Sequence, residues 1–411
     1  MGFYSALPYL LTMALLLGLA STPLFRLADT PPTDVAARVS AIDGLRGLLA
    51  LAVFFHHSAI WHQYLLTGEW RLPPSRFYAN LGPAGVSMFF MITGYLFWSQ
   101  MLKAKGRPNF LKLYIGRLFR IVPLYLVLAL IVLGVVGFAT RWRLNESPFA
   151  LSVEVARALA GGLVTIPHEI NAYRGTWFVS AGVTWSLRYE WMFYTSLIVT
   201  AFFARGALGG LLLPLAGLTI AIVLALLGRD PFGTALILLF SIGMIAAAVR
   251  KPFASALARV PQWALSAAAV AFVALALTRF DGVYGVTPEL MLGAAFLLVV
   301  SGTTVFGLLL TRPARRLGDV SYGIYLLQGP VLLLAFSLPW LKAPSAASPA
   351  VHWALVAVAA AALTVFATLT HSLVERPGIQ AGRRVASALG GRAVASEPVR
   401  IDRKEPQPQS F

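Results

Sequence analysis

Long, almost uncharged apolar blocks recur throughout this chain of 411 residues and limit its fold more than any other feature. Hydrophobic residues make up 58% of the sequence and charged residues only 12%, whereas a soluble domain has about 25% charged residues. Blocks of this kind are typical of helices that cross a membrane, since roughly 20 residues span the hydrocarbon core. The short alternating segments that a membrane β-barrel requires are not evident. We therefore predict an all-α, polytopic transmembrane helix bundle.

Eleven segments are predicted to span the membrane. They are 5–25, 40–58, 82–102, 119–140, 184–204, 207–228, 232–249, 262–278, 288–311, 319–338 and 351–373. The first lacks a basic start and a clear cleavage site, so we expect a retained helix rather than a signal peptide. This divides the chain into an extra N-terminal transmembrane helix and linker over 1–38, a ten-helix core over 39–378, and a disordered basic tail over 379–411.

Lysine and arginine are concentrated in alternate connections between the predicted spans. The 103–120 connection and the C-terminal tail are rich in them, whereas the connections near Arg229 and Arg279 each carry an aspartate beside the arginine. Cytoplasmic loops of membrane proteins are enriched in basic residues, so the basic side is predicted to be cytoplasmic. Residues 141–183 then form a long outer loop.

Charge and cysteine content exclude several function classes. The net charge of +17 lies in short loops, where lipid head groups and topology account for it, so we predict no nucleic-acid partner. The chain has no cysteine, which excludes disulfides and thiolate chemistry. No metal site is predicted.

Four ionisable side chains fall within the predicted span 40–58: Asp43, Arg46, His56 and His57. Arg46 and His57 return to within roughly 20° of each other, about 16 Å apart along the helix axis. Asp43 can pair with Arg46 at i,i+3, whereas His56 points roughly 80° away. Because such residues need a polar cavity rather than lipid, we expect His57 to share one cavity with Arg46. The alternative is that Asp43 and Arg46 mark a helix end and the histidines lie at the opposite interface.

Glu190 is interpreted as the only acid well inside an apolar span, close in depth to His57. A buried carboxylate near a histidine can orient the imidazole and stabilise its protonated form. We therefore expect Glu190 to support His57. An ion pair with Arg188, or a structural tie between helices, is the alternative.

Arg117 and Arg120 lie at i,i+3 on the predicted cytoplasmic edge. Adjacent guanidinium groups suit phosphate, which they can bind bidentately. A phosphate contact is therefore predicted, with an ordinary basic loop as the alternative.

These elements, in this order, resemble the acyltransferase-3 family of integral membrane proteins, which O-acylate sugars and other hydroxyl compounds. The segments similar to the family's motifs are 42–47 leading to His57, 85–94, 117–120 with Pro123 and Tyr125, 185–190 with Phe193 and Tyr194, 321–326, and 375–377. The resemblance covers residues 40 to 377. Gln328 departs from the family, whose closing signature usually ends in His there, so no catalytic role is assigned to Gln328. Thr93 replaces the usual Ser and keeps the hydroxyl.

The resemblance implies acyl transfer from acyl-CoA, expected to be acetyl-CoA, to a carbohydrate or glycolipid hydroxyl at the outer face. It implies no permanently bound cofactor and a stand-alone enzyme. It implies His57 as the general base, with Glu190 holding the imidazole. It implies Arg46, Arg117 and Arg120 as the residues that bind the donor. Further candidates are Asp43, Thr93, Ser186, Ser321 and Tyr325. Direct transfer is preferred, and an acyl-histidine intermediate stays open.

A bacterial inner membrane location is implied, with membrane lipids around the bundle. O-antigen or another surface polysaccharide is the leading acceptor, while exopolysaccharide, peptidoglycan and secondary-metabolite sugars stay open. The rival function is a proton-coupled transporter or flippase of a lipid-linked sugar, with Arg46, His57 and Glu190 as a proton relay. Its activity would not require acyl-CoA. A membrane scaffold or sensor, the third alternative, would tolerate His57→Ala.

Overall fold

The computed structural model describes residues 2–29 and 40–390. Its helices are α1 Leu7–Ser21, α2 Ser40–Thr67, α3 Arg76–Lys103, α4 Phe110–Ala139, α5 Pro148–Ala158, α6 Thr176–Ser180, α7 Trp185–Thr200, α8 Ala207–Leu226, α9 Pro231–Ala256, α10 Gln262–Arg279, α11 Val286–Val300, α12 Arg312–Asp319, α13 Ser321–Ser337, α14 Pro339–Ala347, α15 Pro349–Thr370 and α16 Arg376–Gly390. Extended pairing within the described residues is limited to one isolated bridge, Ile170–Tyr173. The all-α polytopic bundle is confirmed.

Each of the eleven predicted stretches contains a helix, but the helices differ in their fitness to cross a membrane. Within the described residues, six helices are long and apolar enough to span. A seventh span results if α12 and α13, which meet at a bend of 67°, are taken as one. The count of eleven spans stays a prediction.

Helix α3 lies at the centre of the bundle, packed against α2, α9, α10 and α11. It begins at an N-cap, where the Ser75 hydroxyl accepts a hydrogen bond from the backbone N–H of Tyr78. Its contact with α9 is close because glycine lies on both sides: a Cβ on Gly94 would lie 2.7 Å from the carbonyl oxygen of Phe240. Small residues at such contacts let helix backbones approach each other in a membrane.

The C-terminal segment corrects a prediction. Residues 379–390 were expected to be disordered, but they belong to α16, which packs on α4. Gly378 and Gly382, one turn apart, let α16 lie against Phe119 and Pro123 of α4. The prediction of disorder is therefore wrong for 379–390, and residues 391–411 lie outside the described part of the chain.

The extra N-terminal helix α1 packs on α12 and α15. At its end, Arg316 of α12 binds both carboxyl oxygens of Asp29, at 2.6 and 2.9 Å. The same guanidinium donates to the carbonyl oxygens of Ala20, Ser21 and Thr22. Arg316 thus satisfies carbonyl groups that the helix end leaves without partners.

Candidate active site

A cavity of about 1040 Å³ lies among α2, α3, α4, α7, α9 and α13. It is lined near the start of α2 by Asp43 and Arg46 and near the ends of α3 and α9 by further basic residues. The charged side chains that line it are Asp43, Arg46, Lys103, Arg117, Arg120, Glu190, Arg250 and Lys251. With six basic groups against two carboxyl groups, this basic cavity suits an anionic ligand.

Arg117, Glu190 and Tyr194 form a cluster in the wall of the basic cavity. The Tyr194 hydroxyl donates to Glu190 Oε2 at 2.6 Å. The Arg117 guanidinium carbon lies 4.4 Å from the centroid of the Phe97 ring and 5.9 Å from that of Tyr194. These contacts hold a guanidinium group by cation–π attraction and keep it in one orientation beside the cavity.

The predicted pair of Asp43 and Arg46 is confirmed, with 4.0 Å between Asp43 Oδ1 and Arg46 Nη1. Arg46, Arg117 and Arg120 all lie close enough to Glu190 to attract its carboxyl group. The structure therefore brings four of the predicted site residues together.

A second cavity of about 450 Å³ adjoins the basic cavity and shares Gln100, Arg117 and Arg120 with it. Helix α16 forms one wall, where Gly382 and Arg383 line the space. The α3–α4 connection and the start of α4 form the opposite wall, through residues such as Asn109 and Lys112. We call this space the α16 cavity.

A third cavity of about 300 Å³ contains both histidines of the α2 motif, and we call it the histidine cavity. The residues that line it are Val53, His56, His57, Gly82, Pro83, Val86, Val183, Trp185, Phe232, Tyr284 and Tyr325. They come from the middle of α2, the starts of α3, α7, α9 and α13, and the segments before α7 and α11. The histidine cavity thus lies towards the opposite end of the bundle from the basic cavity.

The two histidines have different partners. His57 Nδ1 lies 3.0 Å from Gln328 Oε1 of α13, and the His57 ring stacks on Trp70 with 6.4 Å between centroids. His56 Nδ1 lies 2.9 Å from the carbonyl oxygen of Tyr78. His56 is therefore tied to the α3 backbone, whereas His57 is held by a side chain.

Tyr325 and Val86 line both the basic cavity and the histidine cavity, so the two spaces meet at these residues. The Tyr325 hydroxyl donates to the carbonyl oxygen of Val183 at 2.9 Å and lies 2.8 Å from Ser186 Oγ. These hydrogen bonds fix the Tyr325 ring between the cavities. The Tyr325 ring therefore lies where the two cavities meet.

The interpretation of Glu190 as the partner of His57 is wrong. Glu190 lies in the basic cavity and bonds Tyr194, while Gln328 is the side-chain partner of His57. The sequence estimate of depth placed His57 at the end of a span finishing at residue 58, but α2 continues to Thr67. His57 therefore lies farther from the end of its helix than the hydropathy profile indicated.

The remaining predicted candidates, Thr93, Ser186 and Ser321, all line the basic cavity. Sequence reasoning did not include Lys103, Arg250, Lys251 and Gln328 among the site residues. The three basic residues were assigned to topology alone, although their positions at the ends of α3 and α9 place them at the same end of the bundle as Arg46. Within residues 2–29 and 40–390, no three His, Asp or Glu side chains are grouped as a metal site requires.

Comparisons with known proteins identify the family of the chain. The sequence model of the acyltransferase-3 family, described as an acyltransferase domain, matches residues 39–371. A Staphylococcus aureus (strain COL) protein named "Putative O-acetyltransferase" is 29% identical over 161 residues, which are 38% of this chain and 23% of that protein. The chain thus matches less than a quarter of that relative's length. "Putative membrane-bound transacylase BcsY" of Komagataeibacter xylinus is 26% identical over 381 residues, 86% of each chain.

No solved structure matches the chain. The family match nevertheless runs from just before α2 to the end of α15 and contains every helix that lines the basic and histidine cavities. The chain is therefore a multi-pass membrane protein that belongs to the acyltransferase-3 family.

Proposed function

We propose that the protein transfers an acyl group, in the first place acetyl, from acyl-CoA in the basic cavity to a carbohydrate hydroxyl in the histidine cavity. The observation that carries this proposal is the meeting of the two cavities at Tyr325 and Val86. One cavity is lined by basic groups and the other contains His57. Donor and acceptor can therefore approach from opposite ends of one bundle.

The donor is expected to bind through its phosphates. Arg46, Arg117 and Arg120 provide guanidinium groups, which bind phosphate bidentately and stay charged at all working pH values. A volume of about 1040 Å³ lies just above the range for ligand sites, about 300–1,000 Å³. The α16 cavity extends this space beside Arg117 and Arg120. The nucleotide end fits among the basic residues, with the thioester arm directed towards Tyr325.

The reaction needs one base. The acceptor hydroxyl oxygen attacks the thioester carbonyl, a C–O bond forms, and the C–S bond breaks. His57 takes the hydroxyl proton and returns it to the leaving thiolate sulfur, so no proton is gained or lost overall. Glu190 has a different role in this proposal: with Tyr194 it orients Arg117 in the donor site.

The names of relatives support an O-acyl product. One relative is named as an O-acetyltransferase and another as a membrane-bound transacylase. For this chain we propose a carbohydrate or glycolipid acceptor, with O-antigen or another surface polysaccharide as the leading class. We propose that the protein lies in a bacterial inner membrane with the basic end of the bundle facing the cytoplasm, because acyl-CoA is made in the cytoplasm and basic loops face the cytoplasm.

The test compares two variants that differ only in which histidine of the pair is changed. Purified wild type, His57→Gln and His56→Gln receive ¹⁴C-acetyl-CoA and a set of free monosaccharides, and CoA release and labelled sugar are measured. We expect His57→Gln to lose about 10²- to 10⁴-fold in turnover, while His56→Gln, which keeps a side-chain donor for the Tyr78 carbonyl, loses much less. Equal turnover in wild type and His57→Gln would remove His57 from the chemistry. Sugar uptake into vesicles without acetyl-CoA would instead support a transporter.

A further inference from the structure

Gln328 joins α13 to α2 across 271 residues of sequence, through the contact of its Oε1 with His57 Nδ1 at 3.0 Å. The Gln328 side chain is completely buried. Its position is therefore fixed by packing, and no solvent competes for its amide.

The orientation of the Gln328 amide is set by a second hydrogen bond. Its Nε2 donates to the carbonyl oxygen of Tyr325 at 2.7 Å, one turn earlier on α13. A carbonyl oxygen only accepts, so the amide nitrogen must face Tyr325 and the amide oxygen must face His57. Turning the amide over would place two acceptor oxygens against each other. The Tyr325 backbone thus determines which atom His57 meets.

The amide orientation in turn determines the tautomer of His57. Because Gln328 Oε1 only accepts, His57 Nδ1 must carry the proton of this hydrogen bond. In a neutral imidazole one nitrogen is protonated and the other is not. Nε2 is then the nitrogen that holds a lone pair, which is what a general base requires.

We propose that Gln328 is a positioning residue that selects the Nδ1–H tautomer of His57 and so leaves Nε2 as the base in the histidine cavity. This inference rests on the proposed function, in which His57 accepts the hydroxyl proton. Gln328 does not touch the reacting atoms and acts through His57. Because an amide does not titrate, the tautomer is held at every working pH without a second ionisable group.

The same chain of bonds connects the tautomer to the junction between the cavities. Tyr325 accepts from Gln328 through its backbone carbonyl and bonds Ser186 and Val183 through its hydroxyl. The residue that orients the His57 partner is therefore also the residue that separates the two cavities. A shift of α13 at this turn would change both the junction between the two cavities and the tautomer of His57.

The experiment measures the ring nitrogens directly. Protein labelled with ¹⁵N-histidine is studied by solid-state NMR in lipid, and the His57 signals are assigned by difference from the His57→Gln variant, since the chain contains six histidines. Gln328→Met removes the acceptor, Gln328→Glu keeps an acceptor oxygen towards Nδ1, and Gln63→Met is the matched control. Gln63 is a buried glutamine on α2 that lines none of the cavities described above.

We expect wild type, Gln328→Glu and Gln63→Met to show a protonated Nδ1 on His57, and Gln328→Met to lose this single tautomer. In the acetyl-CoA assay, Gln328→Met should lower kcat about 10- to 100-fold with an unchanged KM for acetyl-CoA. If Gln328→Met does not fold, Gln328→Asn, which draws the amide back by one methylene, replaces it.

An unchanged His57 spectrum and kcat in Gln328→Met, or in Gln328→Asn, would overturn the inference. A wild-type protein that holds the Nδ1–H tautomer but transfers no acetyl group would overturn the proposed function while supporting the positioning role. A change in kcat without a change in the ring spectrum would overturn the positioning role and leave the proposed function standing.

Discussion

Two glutamates of the bundle show how strongly the surroundings of a residue decide its part in the molecule. Glu190 bonds Tyr194 and lies close to three arginines. Glu289 on α11 is completely buried, and neither of its carboxyl oxygens has a hydrogen-bond partner in the described part of the chain. The sequence interpretation singled out Glu190 as the only acid well inside a span and did not consider Glu289, which lies in the first turn of α11. Glu289 was missed because it lies at the edge of the predicted span 288–311.

Replacing Glu289 should raise stability. A buried polar group without a partner costs about 1–3 kcal/mol, so Glu289→Met is expected to raise the free energy of unfolding by up to this amount. Thermal unfolding in detergent measures the change. Glu190→Met is the matched control and should lower stability, because it leaves Tyr194 and Arg117 without their partner. A loss of stability in Glu289→Met would show that this carboxyl group binds something in the membrane.

Sequence reasoning at this scale found most of the polar residues but not their pairing. Asp43 with Arg46 was predicted because both lie on one helix, where i,i+3 geometry is fixed. His57 with Gln328 was not, because their contact depends on how α2 and α13 pack across 271 residues. Helical periodicity gives the face of a residue, and only tertiary packing gives its partner.

At the scale of elements, α16 is the helix that the amino-acid composition did not predict. Its sequence is rich in arginine and small residues, which is also typical of a disordered tail. The signal that could have identified it is the pair Gly378 and Gly382, spaced as in helix contacts within membranes. Without knowledge of the α4 surface that receives this pair, the spacing alone was too weak to predict a helix.

The contact between α16 and α4 should not tolerate a large side chain. A Cβ on Gly382 would lie 2.7 Å from Phe119 Cβ, so Gly382→Leu is expected to displace α16 and cost about 1–3 kcal/mol. Thermal unfolding and the KM for acetyl-CoA measure the effect. Gly134→Leu on α4, where nothing lies within 4 Å of an added Cβ, is the control and should change neither. Normal stability in Gly382→Leu would contradict the packing described for α16.

Arg383 should contribute to donor binding through the α16 cavity. Arg383→Ala is expected to raise the KM for acetyl-CoA about 3- to 10-fold with kcat unchanged, because it removes a charge near phosphate at a partly solvated site. Steady-state kinetics measure both constants. Arg384→Ala is the control, since Arg384 is the next residue on the same helix and does not line the cavity. Equal KM values in the two variants would exclude the α16 cavity from the donor site.

At the scale of the whole molecule, hydrogen bonds join both ends of the N-terminal helix α1 to the core. Trp353 Nε1 donates to the carbonyl oxygen of Phe3 at 2.8 Å, and the Tyr78 hydroxyl donates to that of Ser5 at 2.9 Å. At the other end, Arg316 binds Asp29 and the last carbonyl groups of α1. The helix beyond the family match therefore belongs to the bundle structurally.

The tie between Arg316 and Asp29 should make stability depend on pH. The guanidinium holds the pKa of the Asp29 carboxyl below its ordinary value of 3.8. A lowered pKa in the folded state means that the contribution is present above pH 3.8 and is lost as the pH falls through the lowered pKa. Because Asp29 is about half exposed, with 51% of its side-chain surface accessible, the contribution is expected to be about 0.2–1 kcal/mol.

The measurement compares the unfolding of wild type and Asp29→Asn between neutral and acid pH. We expect the wild type to be more stable at pH 7 and the difference to shrink below pH 3.8. Arg315→Asn is the control, because Arg315 lies beside Arg316 on α12 and has no contact with Asp29 among those described. A difference that does not vary with pH would contradict the ion pair.

The overall class of the molecule was predictable because hydropathy acts on whole segments and is independent of packing detail. The positions of the helices followed from it, and the order of motifs indicated the family. Cavities could not be predicted in this way, since each is bounded by three or more helices whose relative positions no single segment specifies. That Arg46 and His57 face two adjoining cavities rather than one became visible only in the assembled bundle.

We propose that donor and acceptor meet from opposite ends of the bundle, and the sidedness of the reaction distinguishes this arrangement from transfer on one side of the membrane. The protein is reconstituted into sealed vesicles that enclose free monosaccharides in the lumen. Molecules with the basic end outward are selected by protease access to a tag on α16. ¹⁴C-acetyl-CoA is then added outside the vesicles. We expect labelled sugar inside the vesicles, dependent on His57, while CoA stays outside. Labelled sugar that forms only when sugar and acetyl-CoA are on the same side would contradict it.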